Sequence, residues 1–148
     1  MTKRGQAALE FLMTYGWAIL VVLVAIGALA YFGVLKPTTF LPEKCIITAG
    51  SGLFCNEYSA SGTTLTVRVK NVLPDAINVT SFSVTATGET CTTWTGGTSI
   101  NTDSTADFVI TCGTLASGDK LAGDLSIAYA RAGGLAKTTS GQIVTTVA

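Results

Sequence analysis

The chain has 148 residues, 48% of them hydrophobic and 12% charged, with a formal net charge of zero and no histidine. An average soluble domain is roughly 25% charged, so a strongly apolar segment must skew these totals, and the mean hydropathy is +0.50. Zero net charge supplies no bulk field for nucleic acid or anionic lipid, and the lack of histidine removes the commonest general base and transition-metal ligand.

The first element is apolar. Met1-Thr-Lys-Arg-Gly precedes Gln6-Ala-Ala-Leu-Glu10, and from Phe11 to Leu35 there are 25 residues without a charge. A helix of that length spans about 37 Å, enough to cross a hydrocarbon core of about 30 Å. Lys3 and Arg4 keep the N-terminus cytoplasmic by the positive-inside tendency and place everything after Lys36 outside. Pro37 marks the end of the helix, because proline cannot continue one. Small residues at Ala18, Ala25, Gly27, Ala28, Ala30 and Gly33 suit close approach of a second helix. Glu10 fits a plain anchor poorly, since a carboxylate entering a membrane segment is costly and usually functional. Its bland role is compensation of the helix dipole, worth about 0.3–1 kcal/mol.

The segment Arg4-Gly5-Gln6-Ala7-Ala8-Leu9-Glu10-Phe11-Leu12 resembles the class III signal peptide of archaeal type IV pilins, with Gln6, Ala8 and Glu10 at the motif positions. The continuation Glu-Phe-Leu-Met-Thr-Tyr-Gly-Trp-Ala looks like that of euryarchaeal pilins. The resemblance covers about the first 35 residues. It implies that a prepilin peptidase cuts between Gly5 and Gln6, leaving residues 1–5 as a prepeptide and 6–35 as one long hydrophobic helix. It also implies that Glu10 pairs with the Gln6 amine of a neighbouring subunit, as a register check for assembly. The expected partners are identical subunits in a helical filament, the peptidase, a pilus assembly platform and, before assembly, the membrane, with no nucleic acid. The expected course runs from the cytoplasmic membrane to an extracellular, adhesive pilus filament. Two alternatives remain. One is an uncleaved single-span anchor carrying an envelope domain that does not polymerise. The other is a secreted domain released after Ala28-Leu-Ala30, which matches an A-x-A cleavage pattern.

Residues 36–44, with Pro37 and Pro42, read as a connector, and 45–148 as one extracellular domain. Leu65-Thr-Val67-Arg-Val69-Lys alternates apolar and polar residues as a half-buried strand does. Further strands are expected at Ile77 and Val79 continuing, after a shift of phase, to Phe82 and Val84, then at Phe108 to Cys112, Leu125 to Tyr129 and Gln142 to Val147. Ile46-Ile47 and Gly52-Leu-Phe54 read as a hairpin clipped by a Cys45–Cys55 bond. Turns are expected at Ser59 to Gly62, Pro74-Asp75, Gly96-Gly97, Ser117 to Asp119 and Gly133-Gly134. Short Thr- and Val-rich strands at this spacing indicate an antiparallel, Ig-like β-sandwich, and the whole chain an α+β fold.

Cys45, Cys55, Cys91 and Cys112 all follow the apolar segment, and an even count outside a membrane reads as two disulfides. The pairing Cys45–Cys55 with Cys91–Cys112 closes the shortest loops, the other connectivities and four free thiols staying open. Neither the spacing nor the histidine-free composition suits zinc. Asn78-Val-Thr80 is the single N-x-S/T sequence and a possible glycan acceptor. Asp103 with Asp107 and Asp119 with Asp124 read as turn caps. No catalytic constellation, metal set or cofactor motif appears, so no enzyme is expected.

Overall fold

The computed structural model describes residues 3–33 and 40–148. The chain divides into an N-terminal unit ending at Phe40 and a second unit from Leu41 to Ala148.

Among the described residues the N-terminal unit holds one helix, α1 (Lys3–Tyr31), 29 residues long and therefore about 44 Å. Its best 18-residue window has a mean hydropathy of 2.2, so by length and composition it can cross a membrane. None of its side chains is buried. The helix begins before Gln6 and ends before Leu35. Its end is set by Gly33, whose φ of 71° is one that side chains disfavour. The Phe32 amide still reaches the Ala28 carbonyl at 3.0 Å, and the Gly33 amide tightens onto Ala30 at 3.1 Å. Gly33 is thus a helix stop. Leu35, Pro37 and connector residues 36–39 lie outside the described residues.

The second unit is a β-sandwich of eight strands: β1 (Lys44–Ile47), β2 (Leu53–Ser61), β3 (Thr64–Asn71), β4 (Ile77–Ala86), β5 (Trp94–Ile100), β6 (Thr105–Thr111), β7 (Lys120–Arg131) and β8 (Ala136–Thr146). One sheet has the order β1-β8-β7-β4-β5 and the other β2-β3-β6. Every strand pairing is antiparallel. The alternation in β3 puts Leu65, Val67 and Val69 into the core. In β4 the register shifts between Val79 and Ser81, so Thr80 is a bulge. That extra residue switches the inward phase from Ile77 and Val79 to Phe82 and Val84, because facing has a period of two. Phe82 of one sheet stacks on Phe108 of the other at 5.0 Å between centroids, with Trp94 edge-on to Phe108 at 5.0 Å.

Three sequence expectations fail here. β1 and β2 are not a hairpin: β1 pairs with β8 and β2 with β3, in different sheets. Gly96 and Gly97 lie inside β5, an edge strand in which only Ile100 is fully buried and Trp94 and Thr98 are half-buried. Ser59 to Ser61 continue β2, so the turn lies at Gly62 and Thr63.

The edges of the two sheets face each other in pairs. β1 lies beside β2 at one seam and β5 beside β6 at the other. Asn71, fully buried, closes the end of β3. Its amide nitrogen donates to the carbonyls of Asp75 at 2.9 Å and Ile100 at 3.0 Å, and its oxygen accepts the Leu73 amide at 2.9 Å. A buried polar group is stable only when paired this fully.

Candidate functional site

The first turns of α1 bring together Gly5, Gln6 and Glu10. The Gly5–Gln6 bond lies inside the first turn, which begins at Lys3. The first four amides of any helix lack intrahelical acceptors, and glycine costs a helix interior about 1 kcal/mol relative to alanine. This turn therefore opens at low cost. Glu10 is well past the first turn, and α1 carries no acidic residue in that turn. The dipole effect fades within one turn, so it does not account for Glu10 on α1.

Helix geometry gives Glu10 a setting that the small-residue inventory missed. Ala7, Glu10, Thr14, Ala18, Val21, Ala25 and Ala28 recur at steps of three and four residues, so they form one seam along α1. Apart from Glu10 the seam holds only Ala, Thr and Val, and the Thr14 hydroxyl turns inward to donate to the Glu10 backbone carbonyl at 2.9 Å. A second helix can approach closely along such a seam. Trp17, three residues after Thr14 and seven after Glu10, borders the seam and is 68% exposed, while Leu23 on the opposite face is 63% exposed. Among the described residues no salt bridge involves Glu10. The nearest cations on the helix, Lys3 and Arg4, lie about two turns earlier.

In the second unit Cys45 is bonded to Cys55 and Cys91 to Cys112. Cys45 is in β1 and Cys55 in β2, so the first bond crosses one seam. Cys91 precedes β5 and Cys112 follows β6, so the second crosses the other. Neither bond clips a hairpin. Each joins the two sheets.

Asn78 is exposed in β4, with Ser99 and Ala130 as its cross-strand partners. A Cβ at neighbouring Gly97 would come only to 3.6 Å from its amide oxygen. Small neighbours therefore leave the amide open to solvent. Thr80, the third residue of the sequon, is the bulged residue, and its hydroxyl donates to the Ala128 carbonyl at 3.2 Å.

The carboxylates with ion-pair partners are tied to β3. Arg68 holds Asp107 with two bonds, at 2.6 Å and 2.9 Å, and Glu57 with a third. The Arg68 hydrogen bond holds the Asp107 carboxyl below its ordinary value, opposed by burial and helped, to a lesser degree, by the Arg68 charge. The same bond to Asp107 raises the Arg68 guanidinium further above its already high value. Lys70 pairs with Asp103 at 2.6 Å. Asp103 and Asp107 thus answer separate cations, and Asp124 lies exposed on β7. Among the described residues no group of three or more His, Cys, Asp or Glu side chains is placed to hold a metal ion. No family model matches the chain, and no curated protein matches it.

Proposed function

We propose that the chain is the precursor of a structural filament subunit, a pilin of the archaeal type IV kind. In this reading a prepilin peptidase cuts Gly5–Gln6, and the mature helix leaves the membrane to line the axis of an extracellular, adhesive filament. The observation that carries the proposal is Glu10, set in a seam of Ala, Thr and Val on a helix with no buried side chain. A lipid-facing anchor has no use for a carboxylate in its closest-packing face. A neighbouring subunit that brings a free α-amine to that position gives it a partner. An unpaired charge buried between helices is strongly unfavourable, so a misregistered neighbour is rejected. Repeated heterologous contacts of this kind do not close and produce a fibre. Asn78 then stands on the outer surface as a glycan acceptor.

Intact-mass measurement of material sheared from cells tests the reading. A chain starting at Gln6 within filaments is expected, with an added glycan mass that Thr80→Val abolishes. Retention of Met1 in the membrane fraction, with no filaments, would favour the non-polymerising anchor instead.

A further inference from the structure

We propose that the Cys45–Cys55 disulfide is a tension staple, which passes force arriving along the chain from α1 directly into the three-stranded sheet. The proposal rests on the filament reading only for the origin of the force. The second unit begins at Leu41, so any pull transmitted from α1 enters there. Two exposed contacts meet it first. The Lys120 ammonium donates to the Leu41 carbonyl, and the Glu43 carboxylate accepts the Thr146 amide at 3.2 Å. β1 follows, with only four residues and a single strand partner, β8.

That pairing is weak in the direction of pull. β1 and β8 are antiparallel, with Lys44 opposite Val144, so the end of β1 that receives the force lies beside the C-terminal end of β8. The hydrogen bonds of such a pair open one after another when the two ends are drawn apart, and each is weak alone. Cys45, however, is the second residue of β1. Peeling therefore stops after one residue pair, because the next link is covalent. The force crosses to Cys55 in β2, which pairs with β3 from Leu53 to Ser61 and so recruits the other sheet. Residues 46–54, including the rest of β1 and both positive-φ glycines Gly50 and Gly52, lie outside the stressed path. The Cys91–Cys112 bond is on the opposite seam, away from the point of entry. The two bonds, alike in linking the sheets, thus differ in mechanical role.

Force spectroscopy on the full chain in detergent, held by handles at its two termini, separates this role from general stabilisation. The C-terminal handle at Ala148 follows Val144, so both handles draw on the same end of the β1–β8 pair. Cys45→Ser with Cys55→Ser is expected to show a new early extension of about 30 Å, the length of chain the staple hides, at a force below the wild-type rupture. Cys91→Ser with Cys112→Ser is expected to lack that early step. Equal first-rupture forces in the two variants, or no early step in the first, would overturn the proposal. Wild-type protein held at constant force below rupture gives a second readout that needs no variant. An external thiolate attacks one sulfur, forming a mixed disulfide with it and releasing the other as a thiolate. A staple under tension is expected to be cut faster as force rises, each cut releasing the step of about 30 Å. A cutting rate independent of force shows that the bond carries no tension. Because a single chain is pulled, failure here leaves polymerisation untouched, and failure to polymerise leaves this result standing.

Discussion

In the proposed filament Glu10 gains its meaning from the amine of a neighbouring subunit. Glu10→Ala removes the charge but keeps the apolar length and strengthens the helix slightly, since alanine is the better helix former. Membrane insertion is therefore expected to be unchanged while the yield of sheared filaments falls at least tenfold. Normal filament yield from that variant would remove this account of the residue. The ion pairs of the β-domain make a different prediction. Asp107 has a folded-state pKa below its ordinary 3.8, because Arg68 bonds it. A group depressed on folding stabilises the fold above its unfolded pKa, and that contribution is lost as pH falls through the folded value. Glu43 adds in the same direction, lowered chiefly by its hydrogen bond from Thr146. Both are exposed, so each effect is modest. Between pH 5 and pH 2 the denaturation midpoint of the wild type is expected to fall further than that of Asp107→Asn. Parallel loss in the two proteins would show that the Arg68 pair contributes nothing.

At the scale of elements, the tightest constraint is backbone on backbone. A Cβ at Gly141 in β8 would overlap the Ile46 carbonyl and come within 3.0 Å of the Ile47 Cα, both in β1. Neither can retreat without breaking the β1–β8 pair. Gly141→Ala is expected to destabilise the domain by about 1–3 kcal/mol, the usual range for overpacking. Gly97→Ala meets no atom closer than 3.6 Å and is expected to stay within about 0.5 kcal/mol of the wild type. Chemical denaturation of both variants checks the contrast. These close contacts were invisible in the sequence, whereas inward-facing periodicity was plain. Ile77, Val79, Phe82 and Val84 disclosed even the bulge in β4, because one extra residue must flip the apolar phase. β5 was missed because an edge strand needs no alternation, and Trp94-Thr-Gly-Gly-Thr-Ser-Ile shows none. The false hairpin at β1 and β2 has a related cause. A short Gly-containing connection looks the same whether it turns within one sheet or crosses to the next. In the helix, Glu10 was legible as an anomaly. The seam around it was in the spacing of Ala7, Thr14, Ala18 and Val21, but alanines are so common in membrane helices that composition alone conceals it.

For the whole molecule the two disulfides set apart stability and mechanical strength, quantities usually treated as one. In the chain-entropy model a crosslink stabilises according to the loop it closes, whatever its location. The separations of 10 and 21 residues give about 3 kcal/mol each, with the longer Cys91–Cys112 loop slightly ahead. A domain of this size shifts its midpoint by roughly 4–8 °C per kcal/mol, so loss of either bond is expected to lower Tm by about 12–24 °C. Calorimetry of the two Cys→Ser double variants should therefore rank them together, or place the loss of Cys91–Cys112 as the costlier. Pulling has a direction and heat does not. Force enters beside Cys45, so the same two variants should rank in the opposite order when held by their termini. A reversal of rank between melting and pulling is the signature of a seam bond placed for tension. If the two orders agree, with Cys45–Cys55 dominant in both, that bond is simply the stronger stabiliser and its place next to the point of entry has no mechanical consequence.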